Sequence, residues 1–325
     1  MPLGVFVLVL FVAVLHVVWN AILKTSGDTL RTAGRAMVVG VAVFAPIILV
    51  VWLSQGRPGL PPEVVPLGIA SGFLEAAYFV SLSAAYKRGD LSEVYPIARG
   101  TAPILAVALG VVVLGERLSP LGALGVLALL TGILLVLRPW RALAMLRHRG
   151  DDPGTGRSGV GAAEFALLTG VMIALYSAVD RVAVQQAAPW LYAGLVFPIC
   201  AVALVLWIKL VADRRGPAAT ASERTVDAGA GSAAGDPPPP PGAPASWLRA
   251  GAAGTISLAA YGLILVAYTL APLTVVAPLR ESSVVLASAW GAITMHEAVG
   301  SADVARRIAG AVFVLAGAIL LAVAA

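Results

Sequence analysis

Long apolar runs separated by short polar segments dominate this 325-residue chain. A transmembrane helix needs about 20 mostly apolar residues, so each run is long enough to cross a bilayer. The stretch from Ala250 to Leu279 is too long for one span, and Pro272 divides it into two. The pattern therefore predicts ten transmembrane helices, over residues 2–24, 32–53, 63–86, 91–114, 119–138, 160–183, 188–210, 249–270, 272–295 and 306–325.

The composition excludes a water-soluble fold. The chain is 59% hydrophobic and 12% charged, whereas an ordinary soluble domain has about 25% charged residues. The first apolar run lacks the basic start and small-residue cleavage site of a signal peptide, which predicts a retained span. We therefore expect an all-α, multi-pass protein of the cell (inner) membrane, in contact with membrane lipid.

The distribution of Lys and Arg indicates how the chain is oriented in the membrane. The net charge is +5, but Lys and Arg cluster between the apolar runs, as expected of residues that orient a membrane protein, so we expect no nucleic-acid partner. If both termini face outward, most of these Lys and Arg residues lie in loops on the inner side of the membrane. The positive charges therefore favour that orientation. The single cysteine, Cys200, excludes a disulfide framework and a Cys-rich metal site. We expect no cofactor and no metal.

Two segments between the runs differ from the rest. Residues 212–246 are rich in Ala, Gly and Pro and end in the proline run 237–241, which predicts a disordered loop because such a composition cannot bury a core. A proline-motif docking site for a partner is the alternative. Residues 139–159 are predicted to form a loop between a first repeat, 1–138, and a second repeat, 160–325.

Matched spacings reveal that repeat. Ten residues separate Tyr86 from Pro96 and Tyr268 from Pro278, and seventeen separate Arg99 from Glu116 and Arg280 from Glu297. A pair of glycines seven residues apart follows in each copy, at positions 125 and 132 and at positions 310 and 317. Small residues allow close helix approach, so these glycines predict packing between spans five and ten.

An odd number of spans in each half makes the second half enter the membrane from the opposite side. The result is a 5+5 inverted-topology repeat, the architecture of many secondary transporters, whose substrate site lies near the midplane between the halves. A P-loop is absent from the sequence, which excludes ATP-driven transport by this chain alone.

Three parts of the sequence resemble the EamA family of the drug/metabolite transporter superfamily. They are the start from His16 through Trp19 and Asn20 to Lys24, the block 96–116 followed by Leu118-Ser119-Pro120, and the segment 176–180. The resemblance implies a ten-helix carrier of small metabolites or drugs. The sequence departs from two symmetric half-sites, because Arg280-Glu281 stands where the first copy has Arg99-Gly100.

Ionisable and aromatic groups at membrane depth form the candidate site, because polar groups there are costly and mark function. His16, Trp19 and Asn20 share one helix face, and Glu75 shares a face with Tyr78. A buried carboxyl could exchange protons, which makes Glu75 and Asp180 the candidates for proton coupling. The predicted substrate-binding residues are His16, Trp19, Asn20, Glu75, Tyr78, Arg99, Tyr176, Tyr261 and Arg280.

Each candidate has a structural alternative. Glu75 and His16 could simply be hydrogen-bonded packing residues, and the two arginines could extend to the interface. Asp180 could form an interfacial ion pair with Arg181. Glu281 follows Arg280 directly, so we expect it to point elsewhere, toward another helix.

Two function classes follow. The first is a secondary active transporter that moves a small molecule by alternating access, with or without proton coupling. The second is a membrane-embedded lipid-modifying enzyme with Glu75 and His16 as acid and base. The inverted duplication favours the transporter, because catalysis needs a single site, so we expect no enzymatic activity. The sequence leaves open whether the protein is a monomer or a homodimer.

Overall fold

The structure is a computed structural model that describes residues 3–24, 26–89, 91–150, 159–212, 243–282 and 301–323. The regular secondary structure of these residues is helical throughout, without a strand. Eight helices in this part of the chain are long and apolar enough to cross a membrane. The prediction of an all-α multi-pass membrane protein is confirmed.

The helices follow the predicted apolar runs. They are α1 (Leu3–Lys24), α2 (Thr29–Ser54), α3 (Val64–Tyr86), α4 (Leu91–Val112), α5 (Pro120–Leu137), α6 (Pro139–Gly150), α7 (Gly159–Ala183), α8 (Pro189–Trp207) with a π-helical turn (Ile208–Ala212), α9 (Trp247–Leu270), α10 (273–282) and α11 (Ser301–Val323). The eight candidate spans correspond to α2, α3, α4, α5 together with the first part of α6 (Pro120–Met145), α7, α8, α9 and α11. The predicted ninth span is described only as far as residue 282.

Local sequence explains where several helices begin. Asp28, Ser119 and Ser246 each accept a backbone N–H from the first turn of the following helix, which satisfies a donor that the helix itself leaves unpaired. Pro120 and Pro189 stand at the starts of α5 and α8, where a missing N–H costs nothing.

Two loop predictions need correction. Residues 139–150 form α6 rather than a loop, because Ala142 is buried in an apolar cluster with α4 and α7. Most of the predicted disordered segment, 213–242, lies outside the described residues, but residues 243–246 are ordered against the start of α2. There the amide of Ala245 donates to the Thr32 hydroxyl at 2.9 Å, and Arg35 donates to the Ala245 carbonyl at 2.7 Å.

Glycines bring α5 and α11 into close contact, as predicted. A Cβ added to Gly132 would lie 2.6 Å from the carbonyl oxygen of Gly310, and one added to Gly125 would lie 3.0 Å from that of Gly317. The order of the two pairs makes the helices antiparallel. In addition, α3 packs against α7 and α8, α9 packs against α1 and α2, α2 packs against α8, and α4 packs against α7.

Candidate functional site

Two buried arginines from distant parts of the chain share one carboxylate. Nη1 of Arg99, on α4, lies 3.2 Å and 3.1 Å from the two carboxylate oxygens of Glu281, on α10. Nε of Arg280 lies 3.1 Å from Oε1 of the same group. All three side chains are buried, so the arginines face the protein interior as predicted. We call Arg99, Arg280 and Glu281 the arginine cluster.

The position of Glu281 corrects one expectation. Its carboxylate does reach another helix, through Arg99, but it also contacts its neighbour Arg280. Adjacent residues leave a helix in different directions, yet the long Arg and Glu side chains can curve toward each other. The charged hydrogen bond between the buried guanidinium and carboxylate stabilises that conformation.

A series of aromatic rings connects the predicted site residues. The centre of the Trp19 ring lies 6.4 Å from that of His16 and 6.2 Å from that of Phe79. The ring centres of Phe79 and Tyr78 are 4.9 Å apart, and those of Tyr78 and Tyr176 are 6.2 Å apart. His16, Tyr78 and Tyr176 also lie within electrostatic range of the arginine cluster. The structure thus brings these predicted residues together around the two arginines.

The ring series continues to a second polar group. The rings of Tyr176 and Tyr261 lie 6.1 Å apart, and the Tyr261 hydroxyl donates to Oδ2 of Asp180 at 2.6 Å. Oδ1 of Asp180 accepts from the hydroxyls of Ser71, at 2.5 Å, and Tyr192, at 2.8 Å. We call Asp180 and these three hydroxyl residues the aspartate cluster. Asp180 is buried, so it belongs to this cluster and not to an interfacial pair with Arg181.

Glu75 lies close to the aspartate cluster, but within the part of the chain that the structure describes its carboxyl group has fewer hydrogen-bond partners than that of Asp180. Its side chain is buried, and Oε2 has no hydrogen-bond partner among the described residues. Cys200 and Asp180 lie near its carboxyl group. Nε1 of Trp19 is likewise buried without a partner in the described part of the chain. Unpaired buried polar atoms are rare in native proteins and commonly mark a bound water, ion or ligand.

One predicted site residue cannot be placed. The backbone of Asn20 belongs to α1, but its side chain lies outside the described residues.

Sequence reasoning missed several members of the site. Ser71 and Tyr192 carry no motif, and only their position on apolar helices could have suggested them. Phe79 and Phe197 are ordinary apolar residues in the sequence, but they extend the ring series on both sides of the tyrosines.

Glu116, which follows α4, is hydrogen-bonded to the start of another helix. Its carboxylate accepts the backbone amides of Leu273, at 2.8 Å, and Thr274, at 2.9 Å. Arg181 donates to the same carboxylate at 3.3 Å and also to the Tyr268 carbonyl. Glu116 therefore holds the first turn of α10. Its predicted equivalent, Glu297, lies outside the described residues.

Comparison with known proteins supports the family resemblance in the first half of the chain. Residues 2–138 match the model of the EamA-like transporter family, which belongs to the drug/metabolite transporter superfamily. The resemblance drawn from the sequence is thereby confirmed for this region. No curated protein matches the chain.

Solved structures match the fold of the chain over its whole length. Twenty-three chains match. One of them, described only as "Crystal structure of protein", has a TM-score of 0.62 and 20% identity, and the match covers 99% of this chain and 98% of that one. At this identity the likeness concerns the fold alone.

Proposed function

We propose that this EamA-like multi-pass membrane protein is a secondary active transporter that moves a small metabolite or drug-like molecule by alternating access. EamA-like proteins are typically transporters. The single observation that carries the proposal is the Arg99–Glu281 ion pair, which joins two proposed halves at a buried site. Our proposed location is the cell (inner) membrane.

The proposed architecture is ten spanning helices in a 5+5 inverted repeat, with α1–α5 equivalent to α7–α11. The observed helix contacts support it. If the halves are exchanged, the contact of α3 with α7 becomes that of α9 with α1, and both are present. The contact of α3 with α8 becomes that of α9 with α2, also present, while α5–α11 and α2–α8 map onto themselves. Such exchange is what a two-fold axis between the halves requires.

The proposed substrate site lies along the ring series between the two polar clusters. Both halves contribute to it, since Arg99 and Ser71 precede the connection between the repeats and Arg280 and Asp180 follow it. We propose that His16, Trp19, Asn20, Glu75, Tyr78, Arg99, Tyr176, Tyr261 and Arg280 contact the substrate. Membrane lipid is the other expected partner, and both a monomer and a homodimer fit the proposal.

We further propose that Glu75 and Asp180 couple transport to protons. Glu75 is the stronger candidate, because one of its buried oxygens has no hydrogen-bond partner in the described part of the chain. Asp180 accepts three hydroxyl hydrogen bonds, which hold it in one position. No observation on the described residues favours the membrane-embedded enzyme.

A mixture of candidate compounds allows transport to be tested before the substrate is identified. Proteoliposomes and empty liposomes are incubated with a cell metabolite extract, and mass spectrometry measures which compounds enter. We expect at least one compound to enter only the proteoliposomes. An isotope-labelled sample of that compound should then exchange with the unlabelled compound across the membrane. Chemical conversion of an extract component, without uptake of any, would support the enzyme instead.

A further inference from the structure

Arg99 has hydrogen-bonding capacity that its contacts with the described residues do not use. A guanidinium group carries five N–H donors, but only Nη1 of Arg99 donates to Glu281. Its guanidinium carbon also lies over the face of the Tyr95 ring, 5.8 Å from the ring centre. A buried arginine with unused donors, beside aromatic rings, is suited to a carboxylate ligand, which accepts two parallel N–H bonds.

Asp180, on the acidic side of the site, differs in this respect, and the unpaired Oε2 of its neighbour Glu75 is the group already assigned to proton exchange. Both oxygens of Asp180 already accept hydrogen bonds, two at Oδ1 and one at Oδ2. A cationic ligand at Asp180 would have to displace hydroxyl groups that hold the carboxylate in place. An anionic ligand at Arg99 meets unused donors, so the geometry favours an anion.

Glu281 occupies the same guanidinium that such a ligand would bind. We propose that the substrate is a small organic monoanion, a carboxylate attached to an aromatic or apolar body, and that Glu281 is a built-in competitor which the substrate displaces from Arg99. The inference rests on the proposed function, because it assigns the substrate class of that site. The rings of Tyr78, Tyr176 and Trp19 contact the apolar body.

Displacement leaves no buried charge unpaired. When Glu281 releases Arg99, it keeps its contact with Nε of Arg280 at 3.1 Å, and the substrate carboxylate takes over Arg99. An isolated buried charge would cost several kcal/mol, which this exchange of partners avoids. The exchange also breaks the ion pair between α4 and α10, so substrate binding loosens a contact between the two halves.

Binding of three small aromatic probes tests the inference on the purified full-length protein. Benzoate, benzamide and benzylamine have similar size but are anionic, neutral and cationic. Thermal stability in detergent is measured against the concentration of each probe. We expect benzoate to stabilise the wild type at concentrations where benzamide and benzylamine have no effect. Equal stabilisation by benzoate and benzamide would overturn the proposed substrate class.

Charge removal at Glu281 tests the competitor role. Glu281→Gln should bind benzoate about tenfold more tightly than the wild type, because a charged hydrogen-bonded rival is gone. The matched control is Glu164→Gln, which neutralises an exposed carboxylate on α7 and should leave benzoate affinity unchanged. Unchanged or weaker benzoate binding by Glu281→Gln would overturn the competitor role. If that variant does not fold, Glu281→Asp takes its place, with an expected gain of about threefold.

The test separates this inference from the proposed function. Benzoate binding with the expected selectivity, but no uptake of any compound in proteoliposomes, would leave the site intact and reject the transporter. Uptake of cations or neutral compounds, with no effect of Glu281→Gln on binding, would keep the transporter and reject the inference.

Discussion

Oε2 of Glu116 accepts a hydrogen bond from the backbone amide of Thr274, at 2.9 Å, across the boundary between the two proposed halves. Oε1 accepts from Leu273 in the same way, so one carboxylate satisfies two free N–H groups at the start of α10. A negative charge at a helix N-terminus also interacts favourably with the helix dipole. Glu116 therefore links the end of α4 to the start of α10.

Removal of this cap should destabilise the protein. We expect Glu116→Ala to lower the free energy of unfolding by about 1–2 kcal/mol, because two buried amides lose their acceptor. The measurement is thermal unfolding in detergent. Glu63→Ala is the control, since Glu63 precedes α3 without a side-chain capping bond. An equal loss in both variants would contradict the capping role.

The glycine contact between α5 and α11 predicts a second effect on stability. Gly132→Ala places a methyl group against the Gly310 carbonyl oxygen, only 2.6 Å away, and should cost about 1–3 kcal/mol of unfolding free energy through overpacking. The matched control is Gly262→Ala, because a Cβ there meets no atom within 4 Å. If thermal unfolding shows the same stability for both variants, the close approach of the two helices is wrong.

Glu75→Gln tests proton coupling. Glutamine keeps the size and much of the hydrogen-bonding capacity of glutamate but cannot carry a titrating proton. We expect the variant to lose accumulation driven by a pH gradient while it still exchanges substrate at equal concentrations on both sides. The readout is uptake into proteoliposomes with and without a pH gradient, with Glu164→Gln as the control. Accumulation at the wild-type level would move the proton role to Asp180 or His16, or exclude coupling.

The long loop after α8 should be dispensable up to a defined residue. A deletion of 213–242 with a short flexible connector should leave transport near the wild-type level, because the composition of this segment predicts no packed core. A deletion extended through residue 246 should reduce thermal stability, since the Ala245 amide then no longer donates to Thr32. Loss of transport with the shorter deletion would reveal a functional element in the segment.

Helix positions and glycine contacts could be predicted from the sequence because both depend on local patterns. Apolar run length determines where a helix can cross a bilayer, and the equally spaced glycines of the two copies predicted packing between spans five and ten. Equal spacing in the two copies likewise pointed to Arg99 and Arg280 as related groups. These predictions require no knowledge of which side chains contact each other.

Contacts between distant side chains could not be predicted in this way. Nothing in the sequence around Asp180 indicates that three hydroxyls surround it, because Ser71 and Tyr261 come from other helices. The expected direction of Glu281 was incomplete for the same reason, since the positive charge of Arg99 draws the carboxylate toward α4. Order at residues 243–246 likewise depends on partners in α2, far away in the sequence.

A reversible cross-link between α4 and α10 tests alternating access most directly. A Cβ added to Gly110 would lie 2.5 Å from Cγ2 of Thr274 and 2.8 Å from Oε2 of Glu116. The two positions therefore adjoin, and we expect cysteines there to form a disulfide once the Glu116 side chain shifts. In a Cys200→Ala background, the double variant Gly110→Cys/Thr274→Cys should lose substrate exchange in proteoliposomes on oxidation and recover it on reduction. The two single-cysteine variants should be unaffected by either treatment. If the fully cross-linked protein exchanges substrate as fast as the chemically reduced protein does, transport by movement of the two halves is contradicted.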